Sequence, residues 1–151
     1  MTVEPRPTPQ RLDDLVRECL KDAQRDLAER SLAVTRQMAA DVPELPIDPD
    51  LMKEALAILV RDVIRHATPS TRLRVTVKAG RNAQMVALKS AGTGLTDVQR
   101  EMLFTGEARS GSLARARSIV DAHGGMLWAN GRPGRGMTYY LTLPPREAGA
   151  A

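Results

Sequence analysis

The sequence predicts an α+β fold, a two-layer sandwich with helices on one face of a mixed or antiparallel sheet. Three observations carry this. One long segment, "LMKEALAILVRDVIRHATP" (51–69), has a continuous apolar stripe at helical spacing: Met52, Ala55, Leu56, Leu59, Val60, Val63 and Ile64. Two pairs of alternating segments, "TRLRVTVKA" with "AQMVALKS" and the two halves of "GGMLWANGRPGRGMTYYLTLP", are joined by glycine-rich turns and read as antiparallel hairpins. A length of 151 residues suits one domain with a single core.

From the N-terminus, "MTVEPRPTPQ" (1–10) holds three prolines and no periodicity, which predicts a disordered lead. "RLDDLVRECLKDAQRDLAER" places Leu12, Leu15, Val16, Cys19, Leu20, Ala23 and Leu27 on one helical face. "SLAVTRQMA" (31–39) alternates as a strand does, and "DVPELPIDPD" is a proline-broken loop whose last residues cap the long helix. Pro69 ends that helix, and the first hairpin follows through the turn "GRN". A short helix is expected from about Thr96 to Phe104, then a Gly/Ser loop, then a helix from about Leu113 to His123 and the closing hairpin. The ordered domain should run over 11–144, with a disordered tail over 145–151.

Composition excludes several classes. No run approaches the roughly 18 apolar residues that cross a bilayer, and no signal-peptide core is visible, so a cytoplasmic location without membrane contact is expected. The single Cys19 excludes an internal disulfide framework, and with only two histidines a Cys/His metal cluster is excluded too. The net charge is +4, but acids and bases are interspersed and the densest basic stretch, "EARSGSLARAR" (107–117), holds three arginines. Such mixing reads as a solvated surface and makes nucleic acid an unfavoured partner.

Two features bear on chemistry. In "KSAGTGLTD" (89–97), Gly92 and Gly94 close an apolar strand; the pattern suits a turn as well as close approach of a ligand to the backbone. On the long helix, Asp62 and His66 lie four apart at the edge of the apolar stripe, compatible with an ordinary i,i+4 pair or with a polar site edge.

The order of these parts resembles the ATP-binding catalytic domain of bacterial histidine kinases, within the Bergerat-fold (GHKL) superfamily that includes gyrase, the heat-shock chaperone and mismatch-repair ATPases. "IVDAHGGMLWANGRPGRGMTYYLTLP" (119–144) is similar to the family's C-terminal signature, "LMKEALAILVRDVIRHATP" to its N-box helix and "SAGTGL" to its first glycine box. The likeness covers roughly 11–144 and implies a Bergerat-type sandwich. It also implies a nucleotide site formed by Asp62, Arg65, His66, Ser90, Gly92, Gly94, Ser110, Gly111, Ser112 and Thr138, with Mg²⁺ at Asp62.

The departures fall at the working positions. Asp62 stands where the family has a metal-binding Asn; a carboxylate can hold Mg²⁺ but without metal repels a triphosphate. Arg65 and His66 keep family choices. Ile58, one turn before Asp62, stands where hydrolysing members have a general base and can do no proton chemistry. Ser90 replaces the acid that accepts from the adenine amino group. A hydrogen bond to a charged group contributes roughly 1.5–3 kcal/mol, so its loss weakens nucleotide about 10- to 150-fold. Thr138 matches a threonine beside the adenine pocket. In the lid, Ser110 and Ser112 replace glycines that cradle phosphate and Gly111 is displaced, while Arg115 and Arg117 read as surface residues or substitute phosphate contacts.

The resemblance therefore implies a stand-alone, degenerate domain: a pseudokinase of two-component signalling that binds a protein partner such as a kinase or response regulator. ATP and Mg²⁺ are weak or lost, autokinase activity is absent because no phosphoacceptor hairpin is in the sequence, and a homodimer is compatible. The partner surface is expected along Leu12, Leu15, Val16 and Cys19. The alternative is an active kinase acting in trans, as the anti-sigma serine kinases do; a weaker third reading is nucleic-acid binding through Arg109, Arg115 and Arg117.

Overall fold

The computed structural model describes residues 3–105 and 111–145. In chain order the elements are β1 (Thr8–Gln10), α1 (Leu12–Asp22), α2 (Gln24–Glu29), β2 (Ala33–Met38), β3 (Leu45–Ile47), α3 (Pro49–His66), β4 (Arg72–Ala79), β5 (Gln84–Ser90), α4 (Asp97–Met102), α5 (Ser112–Ala122), β6 (Met126–Gly131) and β7 (Met137–Leu143). A five-stranded sheet in the order β2-β4-β5-β7-β6 has β2 parallel to β4 and every other pair antiparallel, so the sheet is mixed. A parallel pair needs a long crossover, and α3 supplies it.

Helix α3 carries the core. Asp48 caps it, its Oδ1 accepting from the Leu51 N–H at 3.1 Å, with Pro49 in the first turn where a missing N–H costs nothing. Met52, Leu56, Leu59 and Val63 are buried, and α3 lies between α1 and α5. Below it, Leu73, Val75, Val77, Val86, Leu88, Leu141 and Leu143 form the sheet's inner face. His123, at the C-terminal end of α5, ties the layers together. Its Nε2 accepts from the Asp48 N–H at 3.0 Å, and its Nδ1 lies 2.8 Å from the Ile119 carbonyl.

Three local expectations are corrected. The proline-rich lead is not irregular throughout: Thr8–Gln10 pairs antiparallel with Leu45–Ile47, and the Arg6 N–H donates to Asp48 Oδ2 at 2.8 Å. Prolines fit this two-stranded ladder because its outer edge needs no donors. The "DVPELPIDPD" loop accordingly contains a strand. The first helix is two, separated at Ala23, whose ψ of 2° leaves helical geometry and whose N–H is shared between the Cys19 and Leu20 carbonyls. The expected tail, beyond residue 145, lies outside the described residues.

Candidate nucleotide site

The helical spacing of α3 places Ile58, Asp62 and His66 in one line over the inner face of the sheet. Asp62 is buried, and its Oδ2 accepts from the Tyr139 hydroxyl of β7 at 2.5 Å. Its Oδ1 lies 3.4 Å from His66 Nδ1, which is also 3.0 Å from the Asp62 carbonyl. Tyr139 is 1% exposed and packs against Phe104, ring centroids 6.3 Å apart. Ile58 is buried one turn earlier, and Arg65 is turned to solvent.

This arrangement tests the metal implied by the resemblance. Magnesium keeps several waters and takes carboxylate oxygens that face them. The Asp62 side chain is 2% exposed and gives one oxygen to a core tyrosine, so the residues around it do not fit a hydrated cation. Among the described residues no group of three or more His, Cys, Asp or Glu side chains is placed to hold a metal.

Ser90 ends β5 on the inner face, buried, with Met137 as its partner in register. Thr138 is not brought to it. In register with Lys89 and Asn130, Thr138 stands on the opposite face of the sheet, so the residue beside Ser90 is Met137. Alternation along a strand makes this a one-residue matter.

The two glycines of the first box are required by neighbouring backbone. A Cβ at Gly92 would come within 2.6 Å of the His66 carbonyl oxygen, because the Ala67–Gly92 bridge and the Thr68 N–H bond to the Ala91 carbonyl press the loop onto the end of α3. Gly94 has φ +73°, and a Cβ there would sit 1.9 Å from the Arg132 carbonyl oxygen. The loop is stitched to the β6–β7 turn by the Gly134 N–H donating to Thr93 O and the Gly136 N–H to Gly92 O.

On the lid side, Thr96 caps α4 in a reciprocal capping box with Gln99. Ser110, with Gly106 and Arg109, lies outside the described residues. Gly111 is the N-cap of α5 and Ser112 its first residue, and the glycine has no side chain with which to cap the helix. Arg115 donates from Nε and Nη2 to Glu54 at 2.7 and 3.3 Å, cross-tying α5 to α3 and holding the Glu54 carboxyl below its usual range. Arg117 lies over the Phe104 ring at 5.7 Å.

The expected partner patch is a correction. Leu12, Leu15, Val16 and Cys19 are 0%, 3%, 3% and 7% exposed, because the apolar face of α1 packs on α3. Burial pushes the Cys19 thiol up to about 11, and its Sγ lies 3.6 Å from the Lys53 carbonyl.

A family model described as histidine kinase-, DNA gyrase B-, and HSP90-like ATPase matches residues 47–147, more than half of the chain. The chain belongs to this ATPase family. Among curated relatives, the adaptive-response sensory kinase SasA of Synechocystis sp. is 26% identical over 148 residues, covering 90% of this chain and 38% of that kinase. SasA of Synechococcus sp. (strain JA-3-3Ab) is 28% identical over 135 residues, covering 79% and 36%. The chain thus spans well under half the length of the kinases it matches. Among solved structures, the catalytic domain of histidine kinase ThkA superposes with a TM-score of 0.83 at 19% identity, covering 92% of this chain and 96% of that one. ThkA in complex with the response regulator protein TrrA gives 0.82 at 19% identity, covering 91% and 41%. These likenesses show the same mixed sandwich.

Within this ATPase family frame, sequence reasoning found Asp62, His66, Ser90 and the glycines but missed Tyr139 and Met137. The available signal was alternation in "GMTYYLTLP", which puts Met137, Tyr139, Leu141 and Leu143 on one face. A hydroxyl in that apolar row needs a buried partner. Among the described residues no helix is long and apolar enough to cross a membrane.

Proposed function

We propose that this chain is a regulatory, protein-binding ATPase-like domain of bacterial signalling in which ATP binding is weak or lost. The observation that carries the reading is the buried Asp62–Tyr139 bond at 2.5 Å, which spends on the core a carboxylate that a metal–nucleotide site needs at its surface. Ser90 and Ile58 support it, since neither supplies the anchoring acid or a general base. The partner class is a kinase or a response regulator, as the ThkA complex with TrrA illustrates for that protein. The second reading, a kinase acting in trans, is favoured by one feature: α5 begins at Gly111, whose lack of a side chain suits a helix N-terminus that receives phosphate.

Calorimetric titration with ATP, with and without Mg²⁺, separates the two. The expected result is little or no heat in the wild type and binding about 10- to 150-fold tighter in Ser90→Asp, the worth of one charged hydrogen bond. Tight Mg²⁺-dependent binding by the wild type would sink the regulatory reading.

A further inference from the structure

Folding collects bases that are scattered in sequence onto the outer face of the sheet. Register aligns Arg74 of β4, Lys89 of β5, Thr138 of β7 and Asn130 of β6 in one row. At about 4.8 Å per strand this row is roughly 14 Å wide. Two adjoining cavities open along it. One of about 410 Å³ is lined by Lys89, Arg100, Arg132 and Arg135 with Asn130 and Thr138; the other, about 220 Å³, by Arg72, Arg74, Lys89 and Arg135. Lys89 and Arg135 belong to both, and among the described residues no acid lines either. Arg100 has Asp97 at 3.1 Å and Arg72 donates to the Thr35 hydroxyl, while Arg74, Lys89, Arg132 and Arg135 pair with no acid among the described residues. Like charges held this close repel, which disfavours the bare surface and favours an anion across it.

The row beyond carries aromatics. Trp128 and Tyr140, each two residues along its strand from Asn130 and Thr138, stack with centroids 5.3 Å apart and planes 17° from parallel, and both are partly exposed. Two residues along a strand is roughly 7 Å, the reach from a backbone phosphate to its base. We propose that this outer face binds single-stranded nucleic acid, its phosphates tracking the Arg74–Lys89–Arg135 cleft and a base stacking on the Trp128/Tyr140 pair. Guanidinium forks suit phosphate oxygens, and a basic groove beside stacking rings is how sequence-tolerant single-strand binders work. An acidic protein segment would match the charges but has no use for the stacked rings at that spacing. The basic row and the Trp128/Tyr140 pair lie on the outer face, and the cleft meets the glycine-box end only at its rim, where Ser90 and Met137 also line it, so the proposal goes beyond the regulatory reading.

Fluorescence anisotropy tests it, with labelled oligouridylate and oligodeoxythymidylate of about 15 nucleotides. If about five phosphates are neutralised, the logarithmic salt slope is roughly −3.5, and binding weakens about 100-fold between about 50 and 200 mM salt. Lys89→Glu with Arg135→Glu should cost at least about tenfold and flatten the slope. Trp128→Ala should cost about 5- to 150-fold by removing one stacked base. Arg135→Glu alone, in an exposed turn, keeps the test valid should the sheet variants fold poorly. Absence of binding at about 50 mM salt overturns the proposal. So does equal binding of inorganic polyphosphate or polyglutamate that Trp128→Ala leaves unchanged, which would mark a patch for any anion or acidic protein. ATP titration is read at Ser90→Asp and oligonucleotide binding at Trp128→Ala, which lines neither cavity, so the two proposals fail separately.

Discussion

The two faces of one sheet are built from the same strands and have opposite chemistry. Tyr139 and Tyr140 are neighbours on β7, yet the first is buried with its hydroxyl on Asp62 and the second lies outside against Trp128. On β5, Leu88 is 1% exposed under α3 while Lys89 lines the basic cavities. The inner face, where the family's ATP chemistry resides, has turned its polar residues toward one another. On the outer face Arg74, Lys89, Arg132 and Arg135 pair with no acid among the described residues. The lesson is that one set of strands can carry an apolar surface and a polar one through single alternations along each strand.

The largest expected break in this symmetry is on β5. Leu88→Ala should destabilise by about 2–5 kcal/mol through the cavity it leaves, whereas Lys89→Ala should stay within about 0.5 kcal/mol of the wild type. Urea unfolding monitored by circular dichroism measures both, and similar losses from the two would mean that the faces are not distinct.

Next comes β7. Tyr139→Phe removes the hydroxyl that donates to the buried Asp62 carboxylate and should cost about 1–3 kcal/mol, while Tyr140→Phe should change stability by less than about 0.5 kcal/mol. A Tyr139→Phe variant as stable as the wild type would remove the argument that Asp62 is committed to the core.

The smallest effect concerns Asp48, which caps α3. The Arg6 and Leu51 N–H groups hold its carboxyl below the ordinary value of 3.8. Its folded pKa is therefore lower than its unfolded one, so its contribution is complete above pH 3.8 and is lost as the pH falls through the folded value. Asp48→Ala should cost about 0.5–2 kcal/mol near neutrality and lessen the acid-side slope of stability. Melting temperatures followed down the acid range decide it, and an unchanged slope in the variant would exclude Asp48 as a contributor.

The sequence by itself determined the periodic elements. The stripe on α3, the two hairpins, a cap within "DPD" and the Gly-rich turns are local patterns whose physics acts within a few residues. The β1–β3 ladder was not legible, because its pairing joins residues 8–10 to 45–47 and both segments carry proline, a strand-breaking signal. Nor was the fate of Leu12, Leu15, Val16 and Cys19. An apolar helical face shows that something covers it, and only packing shows that α3 does. Tertiary structure alone decided that Asp62 meets Tyr139, 77 residues away, and that Met137 rather than Thr138 stands beside Ser90. It also gathered Arg72, Arg74, Lys89, Arg100, Arg132 and Arg135 into one cleft from a chain whose charges look evenly mixed. The physical reason is the same in each case. A strand's register fixes which side every residue faces, and register is set by pairing across the sheet, where sequence distance carries no information.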